Sequence, residues 1–211
     1  MPRGFRRPIA ALWAIDLAMA DVISSTTEPQ LGAIRLAWWR EQLEALDTGA
    51  PPPPEKRLQD VATELLSSGI AGAEVATLED GWLPLLEPFP WRQPVAEGLK
   101  LRGRILFSLT ARLLIGKPED AEAAGALWSL VDGARHCSDV HSRIFLMDEA
   151  RKAMAELPNV RPPKYLRRLT GLAAMAAHDV LRNKPLDLPY ESFSRGIAAT
   201  LHYARGTLPR G

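Results

Sequence analysis

Asp16, Arg35 and Arg102 stand at positions where the surrounding spacing calls for apolar side chains. A charge in the middle of an apolar helix face is costly to bury alone, so each needs an opposite charge, hydrogen-bond partners or a wet cavity. Two chemistries fit. One is an internal ion-pair network, with Asp16 and Arg35 as its first pair. The other is a cavity in which Arg35 and Arg102, with Trp39 in the wall, receive an anionic head group, because a guanidinium fork matches phosphate oxygens.

The remaining polar residues are sparser. Two carboxylates at i,i+4 on one helix face could hold Mg²⁺, a hard cation that takes oxygen ligands and bridges to phosphate. No two aspartates in this chain have that spacing. The nearest carboxylate pairs are Asp60/Glu64 and Asp187/Glu191; Pro189 interrupts the second, and the first reads as a solvated helix charge pair. His136 and Asp139 could converge on a helix, but His141 points elsewhere and no further ligands complete a tetrahedral set. Cys137 falls on an apolar side and reads as a small core residue. Gly-rich phosphate loops and Ser/His/Asp signatures are absent from the sequence.

These residues must be positioned by helices. Pro8 suits a first helical turn, and Ile9, Leu12, Trp13, Met19, Ala20 and Ile23 recur at helical spacing, with Asp16 within that face and Asp21 opposite. Ser24 to Pro29 ends this helix and opens a second over Pro29–Asp47, with Leu31, Ile34, Trp38, Trp39 and Leu46 on one side and Arg35 among them. Four prolines, Pro51 to Pro54, form a stiff extended loop. Further helical patterns cover 55–66, 73–86, 95–115, 119–140, 141–157, 165–181 and 190–205. Gly116-Lys117-Pro118 stops the longest of these. That helix carries Val95, Leu99, Ile105, Leu106, Leu109 and Leu113 around Arg102. Its basic residues Lys100, Arg102, Arg104 and Arg112 read by default as a solvated face, with an anion-binding or membrane-surface role as the alternative. Strand alternation is missing. The expectation is an all-α bundle of eight or nine helices in one domain, 1–211.

Composition excludes several classes. The chain has 211 residues, 46% of them hydrophobic, enough for a core of its own. A formal charge of +1 provides no global field for nucleic acid or anionic lipid. One cysteine fits a reducing cytoplasm and no disulfide framework. The basic start MPRGFRRPIAALWAI looks like a signal sequence until Asp16 interrupts the apolar run, and the same residues complete an amphipathic helix. No uncharged stretch approaches the roughly 20 residues of a transmembrane segment. A cytoplasmic protein, soluble or at most peripheral to a membrane, is expected.

The stretch Ala10–Leu46 resembles the opening helices of squalene and phytoene synthases. Ala11 to Ser24 aligns with that family's first aspartate-rich helix, and Ile34-Arg35-Leu36 with Trp38-Trp39-Arg40 resembles the Trp/Arg-rich helix that follows. Leu109 to Gly116 is similar to a later helix ending. The resemblance implies a shortened isoprenoid-synthase-like bundle. In that family, two Asp-x-x-x-Asp motifs face each other across a cavity and hold prenyl diphosphates through Mg²⁺. Here Ala20 and Ser24 occupy the first motif's metal-binding positions, and Asp21 matches only the aspartate between them. Within Gly125–Arg143, the expected place of the second motif, neither Asp132 nor Asp139 has an aspartate at i+4.

The resemblance therefore implies a catalytically degenerate member with no catalytic residue, no metal and no cofactor. Such a member would bind an isoprenoid or lipid, or a protein partner, as does a mitochondrial respiratory complex I assembly factor related to these synthases. Fold alone does not dictate the reaction. Two alternatives remain: an active Mg²⁺-dependent prenyl diphosphate transferase, and a purely structural helical interaction protein.

Overall fold

Helix-forming apolar repeats broken by proline and glycine give a chain that, over the described residues, contains helices and no strand. The computed structural model describes residues 5–114, 117–182 and 193–207, leaving aside the side chain of Asp120. Gly116, Asp187, Pro189, Tyr190 and Glu191 lie outside them. The helices are α1 (Arg6–Ser25), α2 (Pro29–Asp47), α3 (Lys56–Asp60), α4 (Gly72–Ala76), α5 (Leu78–Trp82), α6 (Gln93–Leu113), α7 (Glu119–His136), α8 (Val140–Ala155), α9 (Arg167–Leu181) and α10 (Phe193–Arg205). With α4 and α5 taken as one element interrupted at Thr77, nine helices are described, as the apolar periodicity predicts. They fall into two compact units, Met1–Pro88 and Phe89–Gly211.

In the first unit, α1 buries Leu12, Ile15, Met19 and Val22 against the elements that follow. By length and composition α1 is also apolar enough to cross a bilayer, a profile that buried core helices and signal sequences share. Helix α2 begins at Pro29 and ends at Asp47, the predicted bounds. Its buried residues are Gly32, Leu36, Trp39, Leu43 and Leu46, whereas Leu31, Ile34 and Trp38 are exposed. This corrects the expected inward face. Two apolar stripes lie side by side on α2, and periodicity cannot say which one meets the core. The predicted 55–66 helix starts with Glu55, whose carboxylate accepts the Arg57 and Leu58 amides (2.7 and 3.1 Å). It continues through a wider turn over Val61–Leu65 and a tight one over Leu66–Ser68, then stops at Gly69 in the left-handed region. Asp47 at the end of α2 accepts the Gly72 and Ala73 amides (2.7 and 2.8 Å), so one helix end caps the start of another.

In the second unit, α7 packs against α6, α8 and α9, and α10 packs on α9. Leu99, Leu106, Phe107, Leu127, Leu130, Val131, Leu146 and Ala177 fill the interior. Helices α6 and α7 approach closely where Gly103 faces Gly125. A Cβ on either glycine would lie 2.1 Å from the other's carbonyl oxygen. Helix α7 stops at His136 rather than at the predicted residue 140. The reason is Asp139, whose Oδ1 accepts the Ser142 amide (2.8 Å) and hydroxyl (2.6 Å) and so caps α8.

Candidate functional site

Asp16 is turned into the first unit's core, on the same side of α1 as Leu12, Ile15 and Met19. It is 1% exposed, and its Oδ1 accepts a hydrogen bond of 3.0 Å from the Trp82 indole N–H on α5. The carboxylate is thus held by a neutral donor that closes α5 onto α1. Ala20, one turn further on, is half-buried, and Ser24 is exposed with its hydroxyl donating to the Asp21 carbonyl (3.3 Å). Asp21 is exposed and lies 3.3 Å from Arg57. The two positions that the family resemblance assigns to metal therefore present a methyl group and a hydroxyl turned to its own helix.

Arg35 does not meet Asp16. It is exposed and donates to the Ser25 and Thr26 hydroxyls (3.1 and 2.9 Å), tying α2 to the end of α1. The expected Asp16–Arg35 pair is replaced for a geometric reason: Ser25 lies nine residues beyond Asp16, about 13 Å along the helix axis. Trp39 is buried and meets exposed Trp38 edge to face at 5.2 Å. Next to it, Arg40 reaches Glu79 at 3.1 Å. Burial pushes the Glu79 carboxyl above the usual carboxylate range, and Arg40 pulls it partly back.

Arg102 belongs to the second unit and is 4% exposed. Its guanidinium donates to Asp132 (3.0 Å) and Ser129 (3.3 Å) on α7 and lies 4.9 Å over the Trp128 ring. Asp132 follows Trp128 by four residues and Ser129 by three, so it shares the α7 surface with both. Asp132 also receives His136, whose Nδ1 is 2.9 Å from its carbonyl and 3.5 Å from its carboxylate. Lys100 and Arg102 thus depart from the solvated face expected for α6. Lys100 donates to Glu149 (2.9 Å) and Glu97 (3.1 Å). Burial by itself would lower the Lys100 pKa, but these carboxylates outweigh it and raise it. Burial likewise works to raise Glu149, whose bonds to Lys152 and Lys100 bring it below the usual range.

Asp139 is held below the usual carboxylate range by the same Ser142 bonds that make it a cap. Burial pushes the Cys137 thiol up, which disfavours the nucleophilic thiolate. Among the described residues, no three His, Cys, Asp or Glu converge as a metal site.

Sequence reasoning overlooked one centre. Asp179 on α9 is fully buried, 3.0 Å from Arg195 of α10 and 3.2 Å from Arg135 of α7, with His178 at 3.5 Å. Burial pushes its carboxyl up while the two guanidiniums oppose that. The signal was available: Asp179 stands alone among Ala173, Ala176, Ala177 and Val180, as Asp16 does on α1. Nearby, buried His202 contacts the Thr170 hydroxyl (2.8 Å) and the Thr207 carbonyl (3.0 Å), and burial lowers its pKa.

No family model, curated protein or solved structure matches the chain.

Proposed function

We propose that the chain is a motif-degenerate relative of the squalene/phytoene synthases that works by binding an isoprenoid, another lipid or a protein partner, in an assembly-factor-like role, and not by prenyl transfer. One observation carries this reading: the inward-facing carboxylates among the described residues are engaged by the protein itself. Asp16 is held by Trp82, Asp132 by Arg102, Glu149 by Lys100 and Lys152, and Asp179 by Arg135 and Arg195. A magnesium–diphosphate centre needs carboxylate oxygens directed at a cavity and shared with the ion. Ala20 and Ser24 provide none at the positions the resemblance would assign. Incubation with farnesyl or geranylgeranyl diphosphate and Mg²⁺ should yield no condensed product, and turnover would overturn the reading. A second reading, a helical interaction protein with no small ligand, is favoured by the backbone approach of Gly103 and Gly125, which leaves no room for a ligand at that crossing. Saturable binding of a prenyl alcohol or prenyl diphosphate supports the first reading and overturns the second.

A further inference from the structure

Helix α10 is amphipathic in the reverse sense. A surface helix ordinarily turns its apolar stripe inward and its charges to water. Here the inward residues are Arg195, Ala198 and His202, all buried. The outward ones include Phe193 (84% exposed), Ile197 (43%) and Leu201 (44%), spaced i, i+4 and i+8 along one stripe. Tyr203 is also exposed. This orientation is locked from within, because Arg195 meets Asp179 and His202 meets Thr170 and Thr207. Rolling α10 over to hide Phe193, Ile197 and Leu201 would bring those buried polar groups into water and break their bonds. The apolar stripe is therefore left facing outward.

Among the described residues its flanks are basic: Arg168, Arg182 and Arg205 are exposed and line the cavities beside it, and the one carboxylate among described residues 161–182 and 193–207 is the buried Asp179. The near-zero charge of the whole chain conceals this: residues 161–211 hold nine Lys or Arg against Asp179, Asp187 and Glu191. Two cavities flank α10. One of about 390 Å³ has Arg168 beside Leu172, Met175 and Tyr203, and the Arg168 guanidinium lies 5.7 Å over the Tyr203 ring. The other, of about 460 Å³, has Arg182 and Arg205 beside Ile197 and Leu201. Each places an apolar wall next to a guanidinium.

We infer that the α9–α10 face docks on an anionic lipid bilayer, with Phe193, Ile197 and Leu201 entering the acyl boundary and Arg168, Arg182 and Arg205 meeting lipid phosphates. An interfacial helix needs this combination of an apolar stripe, basic flanks and a rim aromatic whose hydroxyl stays wet. Charge selects the occupant. A second copy packed on the same patch in two-fold symmetry would set arginines against arginines. An acidic protein would satisfy the rim, but acyl chains also cover a convex stripe ending in a Phe that is 84% exposed. The inference does not depend on the binding function proposed above.

Flotation of the full chain with vesicles tests it. Binding is expected to phosphatidylcholine vesicles containing phosphatidylglycerol, weakened by high salt, and absent with phosphatidylcholine alone. A guanidinium near an anionic surface contributes about fivefold in partitioning, so Arg182→Gln with Arg205→Gln should lower binding roughly 25-fold. Ile197→Ser with Leu201→Ser should lower it at least about tenfold. All four positions are exposed, so both variants should melt with the wild type, and the arginine pair reports even if the apolar pair misfolds. Lack of binding to anionic vesicles, or binding that neither pair changes, overturns the inference. So does binding of polyglutamate without vesicles, which points to an acidic protein, or a dimer abolished by the apolar pair without vesicle binding, which points to a second copy.

Discussion

Replacing Gly103 by alanine should destabilise the second unit even though alanine is the better helix former. An ideal Cβ at Gly103 lies 2.1 Å from the Gly125 carbonyl oxygen, 2.5 Å from its carbon and 2.8 Å from the Ser129 Cβ. An ordinary carbon–oxygen contact is about 3.3 Å, so α6 and α7 must part by roughly 1.2 Å at this crossing. The closest obstructing atoms are backbone, so a rotamer change cannot relieve the clash. Separation loosens Leu99 on α6 from Gly133 on α7, and the Phe107 ring from the Trp128 ring it stacks on at 5.5 Å. Overpacking of this kind costs about 1–3 kcal/mol and occasionally more, while alanine's helix preference returns about 1 kcal/mol. Because the obstruction is backbone, the upper half of that range applies, and a net loss of about 1–2 kcal/mol is expected for Gly103→Ala, and similarly for Gly125→Ala. The double variant should cost less than the sum, since one separation accommodates both methyls. The control is Gly171→Ala in α9, where a Cβ meets nothing within 4 Å. There the same change should stabilise by about 0.5–1 kcal/mol. Denaturant titration followed by circular dichroism gives both numbers. A Gly103→Ala protein at least as stable as wild type, or a Gly171→Ala protein equally damaged, would refute the reasoning.

Three more outcomes follow from the buried polar groups. Asp16→Ala removes the carboxylate acceptor of the buried Trp82 indole and should cost about 1–3 kcal/mol in a denaturant melt; an unchanged midpoint would mean the bond contributes little. Arg102→Ala takes the buried guanidinium away from Asp132 and should cost about 3–5 kcal/mol, whereas Arg102→Ala with Asp132→Ala should cost clearly less than the two singles combined. His202 has a lowered folded-state pKa, so it contributes stability above its unfolded pKa of about 6.5 that is lost as pH falls toward the folded value, because the unfolded chain takes up the proton first. Wild-type stability should therefore decline below about pH 6.5 by an increment absent from His202→Gln, as read from melts across pH.

Much of the helical scaffold was legible because helix starts and stops have local chemistry. Pro29 and Asp47 bound α2, and the apolar spacing in 95–115 marks α6 together with the buried position of Arg102. Asp16 was legible as a buried charge for the same reason: one polar residue among Leu12, Ile15 and Met19 stands out by spacing. The faces of α2 were not legible, since Leu31–Ile34–Trp38 and Leu36–Trp39–Leu43 are both apolar stripes. Nor was the end of α7, where Asp139 leaves the predicted helix to cap the next. The Asp179 centre carried a readable signal on α9, but its partners come from α7 and α10, far apart along the chain.

The sequence by itself determined that the chain is helical, where its proline and glycine breaks fall, and that Asp16 and Arg102 could not stand in apolar faces without partners. Each follows from interactions within a few residues of the chain. Tertiary structure alone decided the partners: Trp82 for Asp16, Asp132 for Arg102, and the Ser25 and Thr26 hydroxyls for Arg35. It alone also decided that α10 turns Arg195 and His202 inward and its apolar stripe outward. Local spacing separates the two faces of a helix but does not say which one a neighbour will cover. For α10, the buried bonds to Asp179, Thr170 and Thr207 settled that choice against the usual preference for apolar burial.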